Sequence, residues 1–185
     1  DMIRAHEILR KHLNIERIYT LIGSSIGAFQ ALEWNIAQPD IFDYMVFIAS
    51  NCKVSPWATA FNESQRMAIK TDKTFFDRTP EGGLEGMKVA RSIALLSYRS
   101  YSGYNATQQE EDSDFTEASR ASSYQRYQGE KLGKRFNAYS YYSLSRSIDS
   151  HNVGRVRGGL ENALAQVKAR TLLIAISSDV LFPPE

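Results

Sequence analysis

The first 50 residues alternate between two hydrophobic periods. Met2, Ile3, Ile8, Leu9 and Leu13 recur at helical spacing and predict an amphipathic helix over 2–13. The stretch "ERIYTLI", 16–22, is β-branched and aromatic and reads as a strand. Phe29, Leu32, Ile36 and Ala37 return to helical spacing over 26–38, where Pro39 and Asp40 close the helix. The near-continuous apolar run "YMVFIAS", 44–50, predicts a strand covered on both faces. Helix, strand, helix, strand with short joins is the rhythm of a parallel α/β sheet, because parallel neighbours need a crossover between them.

That rhythm stops near Ser55. From there to Lys168 the chain is mostly polar with helical spacing, and predicts helices over 59–70, 84–98, 115–132 and 137–148. "YSGYNATQQEEDSD", 101–114, is polar and glycine-containing and reads as a loop. "RTLLIAISSD", 170–179, restores a buried strand. We therefore expect residues 1–54 and 169–185 to belong to one α/β core, and 55–168 to be a helical insertion between its strands. The chain opens inside a helical pattern and stops directly after an apolar strand, so we expect a piece of a longer protein. No internal repeat or low-complexity segment is visible.

Composition narrows the chemistry. The 185 residues carry 22 Lys and Arg against 21 Asp and Glu, a net charge of +1, which gives no reason to expect nucleic acid or an anionic membrane as a partner. No apolar run approaches the length that crosses a bilayer, and the charged N-terminal stretch lacks the apolar core of a signal peptide. The single cysteine, Cys52, excludes an internal disulfide, agrees with a cytoplasmic location and reads as a packed small residue. No Cys/His cluster suggests a metal, and no glycine-rich phosphate loop with its lysine is present.

The informative motif is Gly23-Ser24-Ser25-Ile26-Gly27, a G-x-S-x-G placed where a predicted strand becomes a predicted helix. A serine on so sharp a turn sits in a strained backbone region, and small neighbours two residues away on each side would relieve the crowding. The turn would lift the Ser25 hydroxyl clear of the sheet as a nucleophile. It would also aim the Ile26 N–H at the same point from a helix N-terminus, where an oxyanion is stabilised. Ser24 reads as filler. A serine nucleophile needs a base and an acid, which on such turns follow in the order serine, acid, histidine. Asp179, just past the last predicted strand, is the candidate acid, although a turn residue there is equally ordinary. The three histidines, His6, His12 and His151, are all out of that order and read as surface or capping residues.

Beyond the motif, "IGSSIGAFQALEW" resembles the nucleophile turn of the homoserine O-acetyltransferases, acyltransferases of methionine biosynthesis with the α/β-hydrolase fold. The likeness continues through "SPWATAFNESQRMAI", "GLEGMKVARSIALLSYRS", "YQGEKLGKRFNAYSYYSLSRSID" and "TLLIAISSDVLFPPE", and is weakest around 101–114. The resemblance implies an α/β-hydrolase fold with a partial parallel sheet and a helical lid that also carries dimer contacts. It implies acetyl-CoA as acyl donor with no bound cofactor, and L-homoserine as acceptor. Ser25 matches the serine that carries the acyl group and Asp179 the triad acid. Arg91 and Tyr98 match an arginine and a tyrosine facing the amino acid. They are seven residues apart, so they can share one helix face, and a guanidinium there suits a carboxylate. The resemblance also implies that the triad histidine follows Glu185 and that the second oxyanion donor precedes Asp1. Transfer of a succinyl group, plain ester hydrolysis, and a non-catalytic fragment without its base stay open as alternatives.

Overall fold

The computed structural model describes residues 2–110 and 119–184. These fall into two compact units. The first holds residues 2–54, 150–177 and 182–184, and the second holds 55–110, 119–149 and 178–181. The chain thus returns to the first unit at Ser150, earlier than the expected 169. The return is early because 150–167 pack into the first core. Val153 and Ala163 are fully buried there, Val54 N–H donates to the His151 carbonyl, and Lys53 bridges Asn152.

In the first unit, helix α1 (Met2–His12) precedes strand β1 (Ile18–Ser24), helix α2 (Ile26–Ala37) and strand β2 (Phe42–Ile48). Strand β3 (Arg170–Ile174) completes a three-stranded parallel sheet in the order β1-β2-β3. The register sets Ser24 beside Ile48 and Ile48 beside Ile174, so the carboxyl ends of all three strands finish level. α2 is the crossover from β1 to β2. It buries Ala28, Ala31, Leu32 and Ile36 against Phe42, Met45 and Phe47 of β2. α1 fixes to α2 through polar contacts: the Trp34 indole donates to Glu7 at 2.6 Å, and His6 stacks on the Trp34 ring.

One expectation fails in this unit. β3 is exposed along its whole length, with Leu173 69% accessible, although its sequence reads as a buried run. Side chains of a strand project above and below the sheet, and α2 packs on β1 and β2 rather than on β3. Tyr19 and Ile22 of β1 are exposed as well.

The second unit contains helices α3 (Pro56–Thr71), α4 (Leu84–Ser97), α5 (Tyr101–Gln108), α6 (Arg120–Gly133) and α7 (Ala138–Asp149), with a 3-10 turn over Lys73–Asp77. Its core is Ile69, Met87, Ala90, Leu132 and Ala138. α3 and α4 cross closely because Gly86 has no side chain: a Cβ there would lie 2.6 Å from the Ala68 carbonyl oxygen. Asp72 joins the two, with Oδ1 accepting from Thr74 N–H and Oδ2 from the N–H groups of Glu85 and Gly86. The predicted loop over 101–114 is wrong in its first part. Ser100 caps α5 by accepting from Gly103 N–H, and Tyr104 packs edge-on against Tyr124 of α6, so local capping and one aromatic contact make a helix of a polar stretch. Residues 111–114 of that loop, and 115–118 of the next predicted helix, lie outside the described residues. A short helix α8 (Leu160–Leu164) in the first unit was not legible in the pattern.

Candidate active site

β1 ends and α2 begins at Ser25. This residue adopts φ 51° and ψ −124°, a positive-φ conformation that side chains rarely enter, at a cost on the order of 1–3 kcal/mol. Backbone contacts hold it there. Ser25 N–H donates to the Ile48 carbonyl at 3.1 Å, while the Ser25 carbonyl accepts from Ala28 N–H, Phe29 N–H and the Ser50 hydroxyl. The Ser25 hydroxyl caps no backbone N–H and its side chain is exposed. The strain therefore serves to present an Oγ with no hydrogen-bond partner among the described residues. Ser24 ends β1 with an exposed side chain.

The two glycines of the motif differ. A Cβ on Gly23 would sit 2.4 Å from the Gly27 carbonyl oxygen and 2.7 Å from Ala28 N, so β1 and α2 approach too closely for any side chain. A Cβ on Gly27 would meet no atom within 4 Å. Crowding thus explains Gly23 alone, and the expectation that both glycines are sterically required is corrected at Gly27. Ile26 is the first residue of α2, so its N–H has no carbonyl one turn earlier to bond and stands at the positive end of the helix. An anion formed at the serine would find that donor in place.

Two of the three histidines of this unit, His6 and His151, are engaged in contacts. His6 Nε2 lies 2.9 Å from Gln30 Oε1 and its ring stacks on Trp34. His12 ends α1, exposed. His151 was expected at the surface and is instead buried. Its ring stacks on Phe29 at 3.9 Å, and Nε2 lies 3.2 Å from the Asn51 carbonyl. Burial pushes its pKa down, against the pull of the Asn51 carbonyl and Glu33, so it acts as a neutral packing ring. Among the described residues, no histidine hydrogen-bonds Ser25. Cys52 is half-buried, and burial pushes its thiol up, away from reactivity. Among the described residues no group of three His, Cys, Asp or Glu could hold a metal ion, and no helix is long and apolar enough to cross a membrane.

The second unit holds the other sequence candidates. Asp179 lies after a turn that follows β3, and its Oδ1 accepts from Leu181 N–H at 2.8 Å. The segment is tied to α3 by the Trp57 indole, which donates to the Val180 carbonyl at 2.7 Å. Arg91 of α4 places its guanidinium 5.5 Å from the Tyr98 ring centroid. Both line a cavity of about 270 Å³, with Asn62, Gln65, Arg135 and Tyr141 among its other walls. Arg91 forms no ion pair with any described residue, so the cavity offers an uncompensated cation to an anionic group. Burial, with the neighbouring Tyr98, pushes the Tyr141 phenol well above its ordinary pKa, while Arg91 opposes the shift. Below α7 the walls are braced by a buried guanidinium: Arg66 pairs with Asp149 and Glu63, each at 2.6 Å, and donates to Ser145. Sequence reasoning missed Gln65, Tyr141 and Arg135 as cavity residues, although they stand inside the quoted similar stretches. Nothing in their local spacing marks them.

Comparison with known proteins gives a consistent picture. The α/β-hydrolase fold model matches residues 1–185. The homoserine O-acetyltransferase of Cyclobacterium marinum is 44% identical over 188 residues, spanning 100% of this chain and 52% of that protein. Its counterpart from Thermus thermophilus is 39% identical, over 99% of this chain and 46% of its own length. The crystal structure of homoserine O-acetyltransferase from Staphylococcus aureus superposes with a TM-score of 0.78 at 30% identity, over 99% of this chain and 50% of that one. A solved esterase superposes with a TM-score of 0.86 at 25% identity, over 98% of this chain and 52% of that one. The chain spans about half the length of the curated relatives it matches.

Proposed function

The chain belongs to the α/β-hydrolase fold family, and from that premise we propose that it carries the nucleophile and the acceptor cavity of a homoserine O-acetyltransferase. The observation that carries this reading is the strained Ser25 with its unengaged hydroxyl at the N-terminus of α2. The 44% identity to a homoserine O-acetyltransferase supports acyl transfer among the reactions such a serine can perform.

A histidine takes the Ser25 proton as Oγ attacks the thioester carbonyl of acetyl-CoA. Since His6 and His151 are engaged elsewhere and His12 precedes Ser25, against the order serine, acid, histidine, we assign the base to a histidine outside residues 1–185, oriented by Asp179. The Ile26 N–H supports the oxyanion. The C–S bond then breaks, the histidine gives its proton to the sulfur, and CoA leaves as the thiol, which frees the base again. Homoserine enters with its carboxylate toward Arg91. Its hydroxyl gives a proton to the same base and attacks the acetyl carbonyl, and the bond to Ser25 Oγ breaks as the serine regains the proton. The helical insertion serves as the lid that keeps water from the acyl-enzyme and as the contact between two copies. The same proposal places the protein in the cytoplasm.

Mass spectrometry of the intact protein with acetyl-CoA alone tests the covalent step. An acetyl adduct is expected on the peptide carrying Ser25 and is lost in Ser25→Ala. An unmodified Ser25 peptide defeats the mechanism. The superposition on an esterase keeps hydrolysis as a second reading. Faster release of the acetyl group to water than to homoserine would favour it, and faster turnover of succinyl-CoA than acetyl-CoA would change the donor.

A further inference from the structure

The cavity of the second unit contains a hydrogen-bond chain with a fixed direction. Gln65 of α3 is 4% exposed, and its Nε2 donates to the Phe61 carbonyl at 3.0 Å. A carbonyl only accepts, so the amide nitrogen must face Phe61 and Oε1 must face the other way. There Oε1 lies 2.5 Å from the Tyr141 hydroxyl oxygen. Two oxygens that close need a proton between them, and Gln65 Oε1 carries none, so Tyr141 donates. The half-buried phenol keeps that proton, since desolvation raises its pKa above the ordinary value.

The consequence is that Tyr141 can offer only lone pairs to the cavity. Asn62 is oriented by the same logic. Its Nδ2 donates to Asp149 at 2.7 Å, and a carboxylate only accepts, which leaves Oδ1 as an acceptor. The remaining charged walls, Arg91 and Arg135, are donors alone. One cavity therefore combines cations for an anionic group with neutral oxygens aimed as acceptors. A zwitterion with carboxylate and ammonium on one carbon matches both sets, whereas a simple carboxylate satisfies only the first.

We infer that Tyr141, oriented by Gln65, is a specificity-determining residue that accepts a hydrogen bond from the α-ammonium group of the acceptor amino acid. This rests on the acyltransferase reading of the cavity and adds the residue that distinguishes amino acids from hydroxy acids. Gln65 is a positioning residue: it touches Tyr141 and sets which way its proton points.

The test compares L-homoserine with 4-hydroxybutyrate, which has the same hydroxyl and carboxylate without the ammonium, in the intact protein. In Tyr141→Phe, kcat/KM for homoserine is expected to fall roughly tenfold or more through KM, the loss of one hydrogen bond to a charged group. Turnover of 4-hydroxybutyrate and acetylation of Ser25 by acetyl-CoA should stay unchanged. Gln65→Leu keeps the phenol but frees its proton, so it should lower the preference for homoserine in the same direction. Equal losses on both acceptors, or an unchanged KM for homoserine in Tyr141→Phe, would overturn the inference. If the unaltered protein acetylates Ser25 but passes the group to no amino acid, the acyltransferase reading itself fails and the ammonium site fails with it.

Discussion

The strand–helix turn at Ser25 and the cavity beside Arg91 are built by opposite means. The turn is made by backbone from consecutive residues. Its parts are the conformation of Ser25, the N–H of Ile26 and the close approach at Gly23. The cavity is made by side chains from α3, α4, α6 and α7 and the segment between α6 and α7, which meet only after those helices pack. A site of the first kind is fixed by local geometry and tolerates change elsewhere. A site of the second kind depends on every brace behind its walls, and the two should fail differently.

The sharpest break is expected behind the cavity. Arg66 is nearly inaccessible and holds Asp149 and Ser145 in place under α7. Arg66→Met leaves the Asp149 carboxylate partly buried without its cation. Its Asn62 hydrogen bond remains but does not compensate for the lost charge. The expected destabilisation is about 3 kcal/mol, at the lower end for a broken buried pair because Glu63 is half in water. Urea unfolding should show it. In the surviving folded protein, the KM for the acceptor should rise while acetylation of Ser25 by acetyl-CoA is unaffected. Loss of Ser25 acetylation in step with the acceptor defect would show that the two sites are not independent.

This contrast also decides what the sequence could disclose. The turn was readable because Gly23-Ser24-Ser25-Ile26-Gly27 is a local pattern whose neighbours are a strand and a helix. The parallel order of β1 and β2 was readable for the same reason, since each run carries its own period. Gln65 and Tyr141 carry no such signature, because their hydrogen bond joins positions 76 residues apart. Arg91 and Tyr98 entered only through the resemblance. The misreadings follow the same line. An apolar run such as 170–176 records what a strand can bury, and the residues that would cover β3 are not specified within it. A polar run such as 101–108 folds as a helix because Ser100 caps it and Tyr124 meets Tyr104. His151 is buried because Phe29, far away in the chain, supplies the ring it stacks on.

A second break targets the turn itself. Gly23→Ala puts a methyl group 2.4 Å from the Gly27 carbonyl oxygen, and both contacting groups are backbone that cannot rotate away. α2 must shift off β1, at an expected cost of about 2 kcal/mol. The shift moves the Ile26 N–H relative to Ser25, so acetylation by acetyl-CoA should slow more than stability alone predicts. The acceptor's KM should not move, since Arg91, Tyr98 and Tyr141 belong to the other unit. A variant of ordinary stability and full acetylation rate would show that the approach of strand to helix is not what fixes the nucleophile.

The smallest effect expected separates the two glycines. Gly27 lies in the first turn of α2, and a Cβ there meets nothing within 4 Å among the described atoms. Alanine loses less conformational freedom than glycine when a helix forms, so Gly27→Ala should be neutral or stabilising by up to about 1 kcal/mol. Its melting temperature and its rate of Ser25 acetylation should match or exceed those of the unaltered protein, where Gly23→Ala lowers both. If Gly27→Ala instead keeps its stability and loses acetylation, the open space over Gly27 is space the acyl donor occupies. The second glycine of the motif would then belong to the substrate, as the first belongs to the fold.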